Sequence, residues 1–436
     1  MKINLRKIMI YLYAFILIYM PNLSYYIKIN SYILFLFPTF IYVFNYIISK
    51  NKKFFLILKK KTVSIFIFLN ILFTAYFALR TAIAGTSLLD FYNLRILQNI
   101  FPIFMLIGVC IIYNELDEMN YNKKGKYKFV INVALIQSFI AINMVIIPEF
   151  RSIAYNIFYN GSNEINTYIS ASRLYGICDG DYTYSFQILH SYLALFAFAY
   201  AYFYKEKKYF LYSILILIVT ILNGRFGLVI YLIGICSLFF YMIFIEKKVF
   251  RFIKYAVIII LSIMLGMIVL EKIVPSTHNV IIHAVNDVLS FVNEKDKTTE
   301  TYGLINGLVF PDKISNKIFG SGYRLYSNGG FRFGDYRVSD VGFINDIFMS
   351  GIFSILLMYG SYLQIIKHLK LSYKDNPKNF EKFMSFILLF SVILANVKGE
   401  VFRSLMQIAT ILIITIFMLL GSENDEKKVF NNSSNI

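Results

Sequence analysis

Charge is scarce in this chain. Only 16% of its 436 residues are Asp, Glu, Lys or Arg, against about 25% in an ordinary globular chain. Apolar residues make up 58% and the mean hydropathy is +0.63, which excludes a soluble enzyme and a disordered scaffold. Acidic residues are fewest: 25 against 43 Lys and Arg, a net +18. The cations fall in short clusters between apolar runs rather than on one face, which argues against nucleic acid. There are three cysteines, Cys110, Cys178 and Cys236, and only Cys178 falls outside an apolar run, so no intrachain disulfide pair is expected. The sequence has no P-loop, no Walker-type lysine, no paired Cys or His at metal spacing and no nucleophile elbow. ATP hydrolysis within the chain is thereby excluded, and neither a metal nor another cofactor is expected.

What is abundant is apolar length. A helix crossing about 30 Å of hydrocarbon needs roughly 20 mostly apolar residues. Twelve such runs occur, near 8–26, 31–48, 62–79, 96–113, 129–147, 184–204, 209–222, 226–245, 255–274, 342–366, 383–397 and 401–420. The expected fold is an all-α integral membrane protein of about 12 transmembrane helices. With a cytoplasmic N-terminus the inner segments hold 27 Lys and Arg against 10 Asp and Glu, a net +17, and the outer segments 16 against 15, a net +1. The positive-inside rule then places both termini in the cytoplasm. The chain divides into helices 1–9 over 1–274, a large external loop over 275–341 between the ninth and tenth, helices 10–12 over 342–421, and a polar cytoplasmic tail over 422–436.

Two outer segments, 148–183 and 275–341, exceed ordinary helix connections. In the second, Val280, Ile281, Ala284, Val285, Val288, Leu289 and Val292 recur at helical spacing after Ser276 and Thr277. This predicts an amphipathic helix, lying on the membrane or packed on the rest of its own loop.

Topology disfavours external arginines, which makes them informative. They are Arg80, Arg95, Arg151, Arg173, Arg225, Arg324, Arg332, Arg337 and Arg403, several beside glycines and aromatics. Each alone can be a head-group anchor or a loop salt bridge; as a set they suit bidentate phosphate binding with close backbone approach. The runs 209–222 and 383–397 cover only about 21 and 22 Å. Their outer ends, carrying Arg225 and the cluster Lys398, Glu400 and Arg403, are expected below the outer surface, lining a polar cavity or snorkelling. Among outer carboxylates, Asp340 and Asp346 bracket the start of the tenth run, where Asp340 can be a helix cap or a base. His190, His278 and His283 read as structural.

At this point the residues resemble the O-antigen polymerase and ligase superfamily of the bacterial cytoplasmic membrane, most closely the Wzy-type repeat-unit polymerases. Three local matches carry the resemblance: Arg173-Leu174-Tyr175-Gly176 ahead of the run starting near Tyr184; Leu222-Asn223-Gly224-Arg225-Phe226-Gly227 between two runs; and Phe319-Gly320-Ser321-Gly322, then Ser339-Asp340-Val341-Gly342-Phe343 and Gly351-Ile352, where a large loop meets the next span. Where related ligases place a histidine this sequence has Ser339-Asp340, and eleven residues after Arg173 stands Tyr184 instead of the long-spaced Arg and Gly motif of some polymerases.

The resemblance implies a metal-independent glycosyltransferase that polymerises undecaprenyl-diphosphate-linked oligosaccharide repeat units into O-antigen or capsule on the outer face of the inner membrane. Arg173, Arg225, Arg324, Arg337 and Arg403 would bind diphosphate and glycan, with Asp340 as the base. Its partners would be the lipid-linked oligosaccharide, the bilayer, a chain-length regulator and a flippase. A ligase of the same superfamily is not separable from a polymerase by sequence. A lipid-linked oligosaccharide flippase would use the same spans, but the 67-residue segment 275–341 and the one-sided site residues favour an enzyme. A metal-dependent lipid-phosphosugar transferase would keep carboxylates in the first external loop, and here 27–30 read Ile, Lys, Ile and Asn.

Overall fold

The computed structural model describes residues 4–23, 31–83, 91–158, 175–178, 185–224, 226–247, 249–275, part of 278–290, 310–320, 341–372, 379–397 and 404–433. The protein is all-α, and each of the twelve apolar runs carries helix. The helices are α1 (Leu5–Tyr19), α2 (Ser31–Ile48), α3 (Lys52–Leu58), α4 (Lys61–Ile83), α5 (Phe91–Glu118), α6 (Lys123–Ile146), α7 (Pro148–Phe158), α8 (Ser185–Tyr204), α9 (Lys208–Asn223), α10 (Phe226–Phe240, extended by the π-helical turn Tyr241–Ile245), α11 (Val249–Ile273), α12 (Ile314–Phe319), α13 (Gly342–Ser372), α14 (Asn379–Ala395) and α15 (Leu405–Ser433). Positions described between 278 and 290 are helical too, with Ile281 buried and Leu289 exposed.

Among the described residues, six helical stretches are long and apolar enough to cross a membrane: 31–48, 61–80, 100–118, 123–146, 185–204 and 226–244. A seventh is counted when Gly342–Phe353 and Ile355–Lys367, bent by 97°, are taken as one span. The protein is thus a multi-pass membrane protein. Exposed Phe37, Phe40, Phe44 and Phe68 on α2 and α4 suit contact with lipid tails.

Helix boundaries depart from the apolar runs for local reasons. The first run reaches residue 26, but its helix stops at Tyr19: Met20 turns into the left-handed region (φ 49°) and Pro21 follows, lacking the N–H that another helical turn would need. α15 continues beyond the last run, through Gly421 and into the polar tail as far as Ser433, where from Ser422 onward no glycine or proline interrupts Glu423, Asp425, Glu426, Lys427 and Lys428.

The chain forms two units, each threaded from distant segments. One comprises 1–38, 120–286 and 378–387, the other 39–119, 287–377 and 388–436. In the first, α8 is mostly apolar, with Gln187, His190 and Ser191 near its start as polar exceptions, and it is buried from Ser185 to Tyr202. It packs on α9, α10 and α6, and a Cβ on Gly234 of α10 would fall 2.2 Å from a Leu195 methyl. At the lysine-bearing end of α6, the buried Glu381 accepts from Lys123 Nζ (2.7 Å), Tyr127 (3.1 Å) and Tyr204 (3.3 Å). In the second unit, α13 packs on α4 and α15 on α5.

Candidate functional site

The far end of α6, and the facing ends of α8, α9 and α10, build a backbone clamp from side-chain amides. Asn223, the last residue of α9, is fully buried. Its Oδ1 accepts the Tyr175 N–H (3.0 Å) and its Nδ2 donates to the Tyr175 carbonyl (2.7 Å) and to Val219 O (2.9 Å). From α6, Gln137 Nε2 donates to Ile177 O (2.7 Å) and Met144 Sδ accepts the Gly176 N–H (3.1 Å). From α8, Gln187 Oε1 accepts the Gly227 N–H (3.1 Å), while Ser191 Oγ donates to Gly227 O.

The glycines are what let backbone and amide meet. Gly176 sits at φ 113°, and a Cβ there would lie 2.8 Å from Phe186 and 2.9 Å from Gln137 Nε2. A Cβ on Gly224 would meet Gln187 Oε1 at 2.3 Å, and one on Gly227 would meet Gln187 O at 2.4 Å. Arg151 of α7 lays its guanidinium over the Tyr175 ring, 4.3 Å from the centroid. Burial raises the Tyr175 phenol above its ordinary pKa, and the Arg151 charge draws it back.

Arg173 and Arg225 themselves lie outside the described residues, as do Arg324, Arg337, Arg403 and Asp340. In sequence, Arg173 is two residues from Tyr175 and Arg225 two residues from Asn223, so each borders one partner of the clamp. Of the other arginines that the charge pattern leads one to expect outside, Arg80 and Arg151 are described at side-chain level.

A second polar locus lies wholly within the other unit. α13 breaks at Gly351 (φ 73°, ψ 175°) where α12 crosses it. A Cβ on Gly351 would fall 2.2 Å from Ile318 O, and one on Gly320 (φ 72°) 2.5 Å from Ser350 Cα. Two residues of α4 secure the crossing: the Tyr76 hydroxyl donates to Phe319 O (2.9 Å) and Arg80 Nη2 donates to Gly320 O. On the first part of α13, the buried Asp346 takes a hydrogen bond from Asn396 Nδ2 (2.9 Å), and Tyr359 lies within reach of both (3.5 Å to Asp346).

No family model, curated protein or solved structure matches the chain. Among the described residues no group of three His, Cys, Asp or Glu is placed to hold a metal. His190 is buried in α8 against Tyr19 (5.5 Å) and Phe186 (4.7 Å), a core position.

The sequence reading missed Gln137, Gln187, Asn223, Tyr359 and Asn396. A signal was there for the two glutamines: a polar amide inside an apolar run must find a partner, and such residues mark functional or structural nodes. For α7 the signal was Pro148 followed by Glu149, which suit a helix's first turn.

Proposed function

We propose that the chain is a Wzy-type polymerase, joining undecaprenyl-diphosphate-linked oligosaccharide repeat units on the outer face of the cytoplasmic membrane. We read it with twelve spans and both termini inside. In the reaction, a hydroxyl at the non-reducing end of one repeat unit attacks the anomeric carbon of another. The new glycosidic C–O bond forms as the bond to the diphosphate oxygen breaks, the acceptor proton passes to a carboxylate, and the diphosphate leaves with the bonding pair. Because the diphosphate is already a good leaving group, the protein has chiefly to hold it, neutralise it and supply the base.

One observation carries this reading: Arg151 stacks on Tyr175, Tyr175 is clamped by Asn223, and Arg173 and Arg225 border those two residues in sequence. Three arginines that topology disfavours therefore belong to or flank one rigid backbone node, a fitting frame for guanidinium groups that must fork onto phosphate oxygens. Arg324, Arg337 and Arg403 are assigned as further ligands of the substrate. Asp340 is the assigned base, since the carboxylate of Asp346 is engaged with Asn396.

The test is deletion of the gene followed by sizing of the surface glycan. A polymerase mutant displays single repeat units. Accumulated lipid-linked polymer would instead assign a ligase, and single units trapped facing the cytoplasm a flippase.

A further inference from the structure

The short connection from α2 to α4 forms a groove of about 450 Å³ lined by Ile47, Lys50, Lys52, Phe55, Leu56 and Lys59. Its shape is set by α3. Asn51 caps that helix by accepting the Phe54 N–H (3.1 Å) and ties it to α5 by donating to Glu118 (2.9 Å). Phe54 turns inward, fully buried against Tyr46 (4.7 Å). What remains outward is amphiphilic: Ile47 is 56% and Leu56 63% exposed, between three exposed lysines.

The neighbouring Lys53 pairs with Asp117 (3.6 Å), whereas no carboxylate among the described residues pairs with Lys50, Lys52 or Lys59. α2 ends at Ile48 and α4 begins at Lys61, and both are long and apolar enough to span. The groove therefore lies where two spans leave the membrane. There lysine stems lie along apolar surface while their ammonium groups stay at head-group level.

We propose that this groove binds an anionic phospholipid of the surrounding leaflet, its phosphate among Lys50, Lys52 and Lys59 and an acyl chain over Ile47, Phe55 and Leu56. A soluble anion would satisfy the lysines and leave the apolar side chains in water; a neutral lipid would cover those side chains and leave three like charges unneutralised. An anionic lipid meets both demands. The proposal is independent of the polymerase reading.

The test uses delipidated full-length protein in neutral detergent, with native mass spectrometry of the first lipid bound. Phosphatidylglycerol is compared with phosphatidylcholine of the same acyl chains. A lysine at the membrane surface is worth about fivefold in affinity, so the triple variant Lys50→Gln, Lys52→Gln, Lys59→Gln should bind phosphatidylglycerol roughly a hundredfold more weakly. The triple arginine variant should retain binding and confirm that the fold tolerates change there. A control with the same charge loss elsewhere, Lys205→Gln, Lys207→Gln, Lys247→Gln, should bind as the unaltered protein does. Equal affinity for the two lipids, equal weakening in the control, or full competition by soluble glycerol phosphate would each overturn the proposal.

Discussion

Replacing Asn223 with alanine tests the clamp directly. The substitution removes both hydrogen bonds to Tyr175 at once, and since Tyr175 is only 4% exposed, water does not readily replace them. A buried backbone donor or acceptor left without a partner costs about 1–3 kcal/mol, so the two together cost about 2–6 kcal/mol. The third bond, to Val219 O, adds little because that carbonyl also serves as a helical acceptor within α9. Asn223→Asp sharpens the test: it keeps an acceptor for the Tyr175 N–H but turns a second carboxylate oxygen on the Tyr175 carbonyl, so it should be no better than alanine. Asn143→Ala is the control, since that side chain bonds only to Phe139 O of its own helix on an exposed surface, and its loss should cost within about 0.5 kcal/mol. Thermal unfolding in detergent, followed by tyrosine fluorescence, reads the stability, and surface-glycan length at equal protein abundance reads the function. An Asn223→Ala protein that unfolds at the parental temperature and makes full-length glycan would refute the clamp and its link to Arg173 and Arg225.

Gly351→Ala should destabilise the protein by about 2–4 kcal/mol in the same unfolding assay, because a Cβ at φ 73° meets Ile318 O at 2.2 Å and cannot be relieved by a rotamer change. Arg173→Lys and Arg225→Lys keep the charge but lose the fork; one charge-assisted hydrogen bond is worth about 1.5–3 kcal/mol, so chain extension by purified protein should fall about ten- to a hundredfold, and full activity in both would reduce these residues to anchors. Asn can cap a helix as well as Asp but cannot accept a proton, so on the proposed role of Asp340 the variant Asp340→Asn should cut polymerisation by about a hundredfold or more at normal thermal stability; loss of wild-type activity to a chelator with rescue by magnesium would count against the metal-free chemistry. Cysteines introduced at Ser162 and Ser327 should label from outside in intact cells and one at Lys124 should not, and external labelling at Lys124 would reverse the topology.

The helices were legible because apolar length is a property of contiguous sequence. The run 31–48 and the helix Ser31–Ile48 coincide, and 184–204 differs from Ser185–Tyr204 by one residue. Even the early end of α1 is written locally, in Pro21. The clamp was not legible in this way. Asn223 belongs to the Leu222-to-Gly227 motif, but its partner Tyr175 lies 48 residues away, and Gln137 and Gln187 each reach 40 residues to Ile177 and Gly227. Nothing local distinguishes such an amide from one that merely bonds its own helix, as Asn143 does. The break in α13 was hidden for the same reason: residues 342–366 read as one apolar run, and what excludes a side chain at Gly351 is a carbonyl from α12.

The clamp also explains why arginine and glycine occur together here. Gln137, Gln187 and Asn223 come from α6, α8 and α9, and each spends its amide on the backbone of 175–177 or 224–227. That exchange requires the backbone to approach side chains closely, and at Gly176, Gly224 and Gly227 there is no space for a Cβ. The glycines thus serve the framework, by letting amides reach peptide groups that would otherwise be stranded in an apolar bundle. The clamped peptide groups are met without recourse to an arginine, while Gln137 keeps a buried Oε1 that has no partner among the described residues. Arg173 and Arg225 border a node whose peptide groups are held by uncharged amides, and it is the proposed function that assigns their guanidinium groups to an anion.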